Sequence, residues 1–278
     1  MKNILKIMLM MIAIFTIAGS AVYAAEIPVS DQDQLITSSD WTEISNLQDE
    51  MKKEEPDATI DYDKALKVYV DCNLIKLQTA DTKKLTSALE SANYVWVIPF
   101  KMEKTYGMFT VAKGLPLSEE AKSVLTKAEQ EEVKNHAGKW MITETAEHTV
   151  EPYYDILLEK REALSDCTRV VLVGSQPGMR QPVALGMDDE TARIWISLGY
   201  QYPVMEKIPE TQNVESGVYS FDSVAEISDT YIEDSEVSTG AGVQSRSSMK
   251  YVAGIGIVLI GSILILSVLR KKKIKSED

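Results

Sequence analysis

The groups that could do chemistry in this chain are few. It has two cysteines, Cys72 and Cys167, and two histidines, His136 and His148. In "ETAEHTVE", Glu144, His148 and Glu151 stand at i, i+4 and i+7. On a helix that spacing would gather one imidazole and two carboxylates on one face, a set suited to a metal. Pro152 favours a helix that starts after the segment, which would break the alignment, and no Glu-x-x-His pattern of a zinc hydrolase is present. In "GSQPG", Ser175 directly follows Gly174, outside the Gly-x-Ser-x-Gly register of a nucleophile elbow, and both histidines precede it. Cys167, Asp166 and His148 would make a thiol site only if Cys167 stays reduced. Asp188, Asp189 and Glu190, with Asp61 and Asp63, offer oxygens to a hard cation, but nothing fixes six or seven ligands as an EF-hand loop does. The expectation is no catalytic residue, no resident metal and no cofactor.

The cysteines have a second use. Cys72 directly follows one predicted strand and Cys167 directly precedes another. Antiparallel pairing of those strands would bring the thiols together, so a Cys72–Cys167 disulfide is expected in an oxidising compartment. Trp96, Trp140 and Trp195 all fall on predicted strands. A shared core explains them, and a sugar-stacking platform is the alternative.

The elements that must position these residues follow from periodicity. "ALKVYVD" alternates Leu66, Val68 and Val70 against Lys67, Tyr69 and Asp71, as a half-buried strand does. "DTKKLTSALESAN" places Leu85, Ala88, Leu89 and Ala92 at helical spacing, with Asp81 as N-cap. "YVWVIPFKM" and "YGMFTVAKG" read as strands, the first at an edge or carrying a bulge because Pro99 lacks an N–H. One helix is expected from Ser118 to His136, with Ala121, Val124, Leu125 and Ala128 inward. "KWMITE" reads as a strand, "EPYYDILLEKREAL" as a third helix, and residues 167–199 as three strands with turns at Pro177–Gly178 and Asp188–Thr191. Hairpin-like spacings predict an α+β fold: an antiparallel or mixed sheet with about three packed helices, plus one C-terminal transmembrane helix.

The two ends carry separate expectations. Lys2 and Lys6, an apolar run and "SAVYAA" predict a signal peptide over residues 1–24, cut after Ala24. Residues 25–60 are expected to be an N-terminal arm, 61–201 an extracytoplasmic domain, and 202–249 an acidic flexible stalk. Residues 250–269 are long and apolar enough for a membrane helix, and Arg270, Lys271, Lys272, Lys273 and Lys275 in the tail 270–278 mark its cytoplasmic side. In its apolar span and basic tail this end resembles signals for covalent attachment to a bacterial wall. Of their Leu-Pro-x-Thr-Gly motif "EVSTG" keeps only Thr239 and Gly240, with Glu236 and Val237 in place of Leu and Pro. Retention as a plain membrane anchor is therefore expected.

With 29 basic and 42 acidic residues the chain carries a formal charge of −13. That field disfavours nucleic acid. The functional expectation is a non-catalytic, membrane-anchored binding or accessory protein of the cell envelope. It would be single-pass, with its N-terminal domain outside and its C-terminus in the cytoplasm, and its partner would be a membrane or envelope protein or a glycan. The alternatives are a carbohydrate-binding surface protein and a cell-wall or glycan hydrolase using paired carboxylates such as Glu144, Glu151, Asp188 or Asp189.

Overall fold

Alternation in short β-branched and aromatic runs dominates the chain, and a computed structural model shows these runs joined in one sheet. It describes residues 27–148, 151–174, 176, 179, 181–199, 205–209 and 213–228. The strands are β1 (Thr59–Ile60), β2 (Leu66–Tyr69), β3 (Tyr94–Lys101), β4 (Tyr106–Lys113), β5 (Trp140–His148), β6 (Arg169–Val173), β7 (Val183–Met187), β8 (Ala192–Ser197), β9 (Asn213–Glu215) and β10 (Val218–Ser220). Their order is β5-β4-β3-β2-β6-β7-β8-β10-β9, with β1 added against β3. Every pairing is antiparallel except β2 with β6, where Val68 faces Leu172 and Tyr69 faces Val173.

The α-helices are short: α1 (Trp41–Ile44), α2 (Gln48–Glu54), α3 (Thr82–Ser91), α4 (Glu119–Val124), α5 (Lys127–His136), α6 (Tyr153–Glu159) and α7, residues 221–228. Asp81 caps α3 by accepting the N–H of Lys84 at 3.0 Å, as its position implies.

Both faces of the sheet are covered. On one, Leu66, Val68, Val97, Leu172, Ala184 and Ile196 pack under α6 and the segment Ile27–Val29. The other is divided. Trp96, Ile98, Phe100, Phe109 and Val111 lie under Leu35, Ile44 and Met51 of the N-terminal segment. Val171, Leu185 and Trp195 lie under Leu85 and Leu89 of α3 and Phe221 and Val224 of α7. Gly107 is needed where it stands, since a Cβ there would meet the Phe100 ring at 2.1 Å.

The expected α+β class is corrected by this architecture. The described residues form a ten-stranded mixed sheet with few, short helices, not a smaller sheet carrying three substantial ones. Part of the reason is that the helix expected from Ser118 to His136 is two: Leu125 turns to extended backbone (φ −89°, ψ 142°) and Thr126 starts α5 anew. The other part is that the sheet recruits β1, β9 and β10 from segments assigned to the arm and stalk. Residues 25–60 are no loose arm, because Leu35, Ile44 and Met51 are wholly buried. The stalk boundary at 202 is likewise displaced, since β10 pairs with β8 (Tyr219 opposite Trp195) and Phe221 stacks on Trp195 at 5.6 Å.

The expected membrane helix is corrected as well: among the described residues no helix is long and apolar enough to cross a membrane. The spans on which the signal peptide, Ala24, the apolar run 250–269 and the basic residues 270–275 fall lie outside the described residues, so the structure lends those expectations no support. Pro99 also departs from expectation. β3 is interior, and Pro99 sits where β2 has ended and β1 begins, so its missing N–H falls in a gap bridged only by Asp61 N–H donating to Pro99 O at 2.9 Å.

Candidate functional site

Between the two apolar clusters on the divided face runs a charged seam. Alternation along β2 puts Lys67 and Tyr69 on this face. The β2–β3 register sets Trp96 and Tyr94 beside them, and the parallel β2–β6 register brings Arg169 to the same side. The N-terminal segment contributes Asp33, from the 3-10 turn Asp31–Asp33, and Asp40, just before α1.

Asp33 is 2% exposed and accepts three hydrogen bonds, from Tyr69 Oη at 2.7 Å, Ser30 Oγ at 2.6 Å and Arg169 Nη2 at 3.0 Å. Lys67 Nζ stands 3.7 Å from its other side. Asp40 accepts from Tyr94 Oη at 2.8 Å and Trp96 Nε1 at 3.0 Å. The Lys67 ammonium lies over three rings, 4.6 Å from the centroid of Tyr94, 5.2 Å from Trp96 and 5.8 Å from Tyr69. Burial lowers the Lys67 pKa and Arg169 pushes the same way, while Asp33 and Asp40 oppose the shift. Burial, then the bonds to Asp33 and Asp40, raises the pKa values of Tyr69 and Tyr94.

Such a cluster ties the N-terminal segment to the sheet in one register, because separating a buried carboxylate from its cations is costly. It also presents two cations whose donors are not all used. Among the described residues Lys67 Nζ has no acceptor within hydrogen-bonding distance, and Arg169 Nε is buried without a partner. Sequence reasoning missed the seam: it placed Lys67 and Tyr69 on the outward side of a half-buried strand. The detectable signal was the aromatic content of that side, Tyr69, Tyr94 and Trp96 together.

The residues singled out by spacing do not converge. Glu144 lies on edge strand β5, opposite Thr110, and Asp188 follows β7. Five strand spacings separate β5 from β7, roughly 24 Å at about 4.8 Å each. Two carboxylates acting on one glycosidic bond must stand within about 10 Å, so this pair is not a hydrolase dyad. Asp188 instead serves its hairpin, accepting the N–H groups of Glu190 at 2.8 Å and Thr191 at 2.6 Å, which with Arg193 hold its carboxyl below the usual range. Residues 144 and 148 are on a strand, where positions four apart are about 13 Å from each other, so the helical metal spacing is lost. Among the described residues no three His, Cys, Asp or Glu side chains gather as a metal site. Ser175, Pro177 and Gly178 lie outside the described residues. Trp96 and Trp195 are wholly buried and Trp140 is 7% exposed, so none offers a face to a sugar.

The Cys72–Cys167 bridge is not made; both thiols are free. The inference assumed antiparallel strands. Because β2 and β6 are parallel, Cys72 lies beyond their C-terminal ends, beside Gly174 and Gln176, while Cys167 precedes β6 and packs against Gly186 on the opposite face. Burial, then nearby Asp71, pushes Cys72 up to about 11; burial, then Asp188 and Asp166, pushes Cys167 up to about 11. Neither is an activated nucleophile.

A second feature is an excursion from the sheet that carries exposed apolar side chains. Between β4 and β5 the chain leaves the sheet at a neck where Gly114 bridges Ala137, forms α4 and α5, and returns. Ser118 caps α4, Thr126 and Glu129 form a capping box on α5, and Gln130 Nε2 ties the two by donating to Leu125 O at 2.9 Å. Ala121 and Val133 are buried, whereas Val124, expected to face inward, is 66% exposed and Leu115 45%. Leu117 and Leu125 are half-buried beside them in sequence.

Searches of protein-family models, curated proteins and solved structures found no match to this chain.

Proposed function

We propose that this is a non-catalytic binding or accessory protein of the cell envelope whose partner is another envelope protein. The observation that carries the reading is the α4–α5 excursion with Val124 and Leu115 exposed. The excursion adds little to the core, so its apolar side chains are better explained by a protein surface they meet than by the stability of this chain. Two further features weigh the same way. Glu144 and Asp188, two of the carboxylates proposed for a hydrolase, are strands apart, and the tryptophans proposed for a sugar platform are in the core. The net charge of −13 favours a partner with a basic rim. The envelope placement rests only on the apolar and basic patterning of the two terminal segments.

The test is site-specific photo-cross-linking in intact cells from position 124, with exposed Glu90 on α3 as the control position. A discrete adduct from 124 alone identifies the partner, and Val124→Asp should then weaken binding to that purified partner at least tenfold with an unchanged melting temperature. Equal labelling from both positions, or unchanged binding by the variant, would reject the surface. Recovery of the protein wholly in the cytosolic fraction would reject the placement.

A further inference from the structure

We propose that the outer edge of β5 receives an extended, basic segment of a partner protein as an added strand. This rests on the reading of the α4–α5 excursion for the occupant's being a protein, and β5 is the strand into which that excursion returns. β5 ends the sheet: it pairs with β4 on one side, and among the described residues no backbone group bonds to residues 140–148 from the other. It runs nine residues, Trp140–His148, whereas β9 at the opposite end has three. No proline or lysine interrupts it, although these are the residues that commonly blunt a sheet edge. Alternate residues of an edge strand turn their N–H and C=O groups outward, and an extended chain satisfies them as a further ladder.

Charge on the strand selects the occupant. Thr145 donates its hydroxyl to the Glu54 carboxylate, which turns it to the face covered by the N-terminal segment. Alternation puts Glu147 on that face and Glu144 and Ala146 on the other. Each face of the edge thus carries an exposed carboxylate, and among the described residues neither is held in an ion pair. Between Trp140 and Glu147 no basic side chain offsets them. Opposite charges set across a strand pair stabilise it and like charges oppose it, so the fitting segment carries Lys or Arg at two positions three apart, one for each face. The register with β4 slips only between Thr110 and Val111, which leaves 144–148 as a regular stretch to pair against. A second copy is a poor occupant: two chains of charge −13 repel, and antiparallel pairing centred on Glu144 would set that carboxylate against itself.

The probe is a peptide with both ends blocked, Thr-Lys-Val-Thr-Lys-Val-Thr, added to the full chain while amide exchange at residues 144–148 is followed. One control carries Glu in place of Lys, and the other Pro in place of Val, which keeps the charge and removes a ladder donor from each edge of the peptide. The Lys–Val peptide should slow exchange in that stretch saturably and the controls should not. Glu144→Lys together with Glu147→Lys should weaken it at least about fivefold and make the Glu peptide the tighter ligand. Should that variant not fold, the ranking of the three peptides on the unmodified chain decides. No saturable slowing, equal slowing by either control, or a folded variant that still prefers the Lys–Val peptide would each overturn the proposal. So would a concentration-dependent dimer of the chain that the variant loses, since the occupant is then a second copy. Photo-cross-linking from position 147 in intact cells separates the edge from the excursion. An adduct from 124 and none from 147 keeps the excursion and rejects the edge; slowing by the Lys–Val peptide with no adduct from 124 keeps the edge and rejects the excursion.

Discussion

Gln176 donates its side-chain amide to the carbonyl oxygens of Cys72, at 2.6 Å, and Gly174, at 2.9 Å, while its own oxygen accepts the N–H of Leu74 at 3.0 Å. One side chain, 3% exposed, thereby satisfies three backbone groups and fastens the loop after β2 to the end of β6. Gln176→Ala leaves those groups without partners, and a loss of roughly 1–3 kcal/mol is expected. Urea denaturation checks it, together with faster alkylation of Cys72; a midpoint unchanged within error would show that the fastening contributes nothing.

Two thiols are expected on alkylation of the denatured, unreduced chain, since parallel pairing of β2 with β6 holds Cys72 and Cys167 apart. In the native protein both should react slowly near neutral pH, where thiols raised to about 11 are almost wholly protonated, and half-exposed Cys72 should react before buried Cys167. An intact mass two protons lower with no alkylation would contradict the strand order.

Phe221 is the sharpest test of where the folded region ends. Its ring lies parallel to that of Trp195, at 12° and 5.6 Å, and it is 4% exposed. Phe221→Ala should destabilise the protein by about 3–5 kcal/mol. If a chain ending at residue 212 melts where the full chain does, β9, β10 and α7 are dispensable and that figure is wrong.

Alkaline pH should act on the seam in two opposite ways. Lys67 is lowered on folding, so between its folded value and the unfolded value of about 10.4 the unfolded chain binds more protons and stability rises with pH. Tyr69 and Tyr94 are raised, so their contribution is complete below about 10 and is lost as pH climbs beyond it. Lys67→Met should therefore flatten the rise and leave the fall. Denaturation midpoints between about pH 8 and about pH 11, which take in the Lys67 rise and the onset of the tyrosine fall, would show it; an unaltered rise in the variant means that Lys67 is not its source.

The sequence was legible where one segment carried its own period. Leu66 and Val68 on β2 and the cap Asp81 on α3 needed no distant partner to be read. The break at Leu125 was also written locally, because Thr126 and Glu129 have the S/T-x-x-E spacing of a capping box, which overrides a continuous helix. The N-terminal segment was not legible: Leu35, Ile44 and Met51 are buried from 3-10 turns and short helices that repeat no period. The same holds for Val218 and Phe221, whose acidic neighbours mask an apolar pair. The seam was hidden for another reason. Alternation says that Lys67 leaves the apolar face, but only the cover laid over the second face, by residues more than thirty positions away such as Asp33, makes it a buried cation.

The solitary parallel pairing between β2 and β6 divides the molecule's wiring. β1 to β5 pair only among themselves on one side of it, and β6 to β10 only among themselves on the other. The pairings β3–β4, β6–β7, β7–β8 and β9–β10 are hairpins between near neighbours in sequence, which form fast because little loop entropy is lost. The join between Tyr69 and Val173 closes a loop of about a hundred residues and is the slow, non-local event. The ladders are thus two and joined once, but one apolar layer runs under α6 from β2 and β3 to β8 and α3 lies over β6 to β8, so amide exchange should find the β2–β6 ladder opening only with the whole sheet.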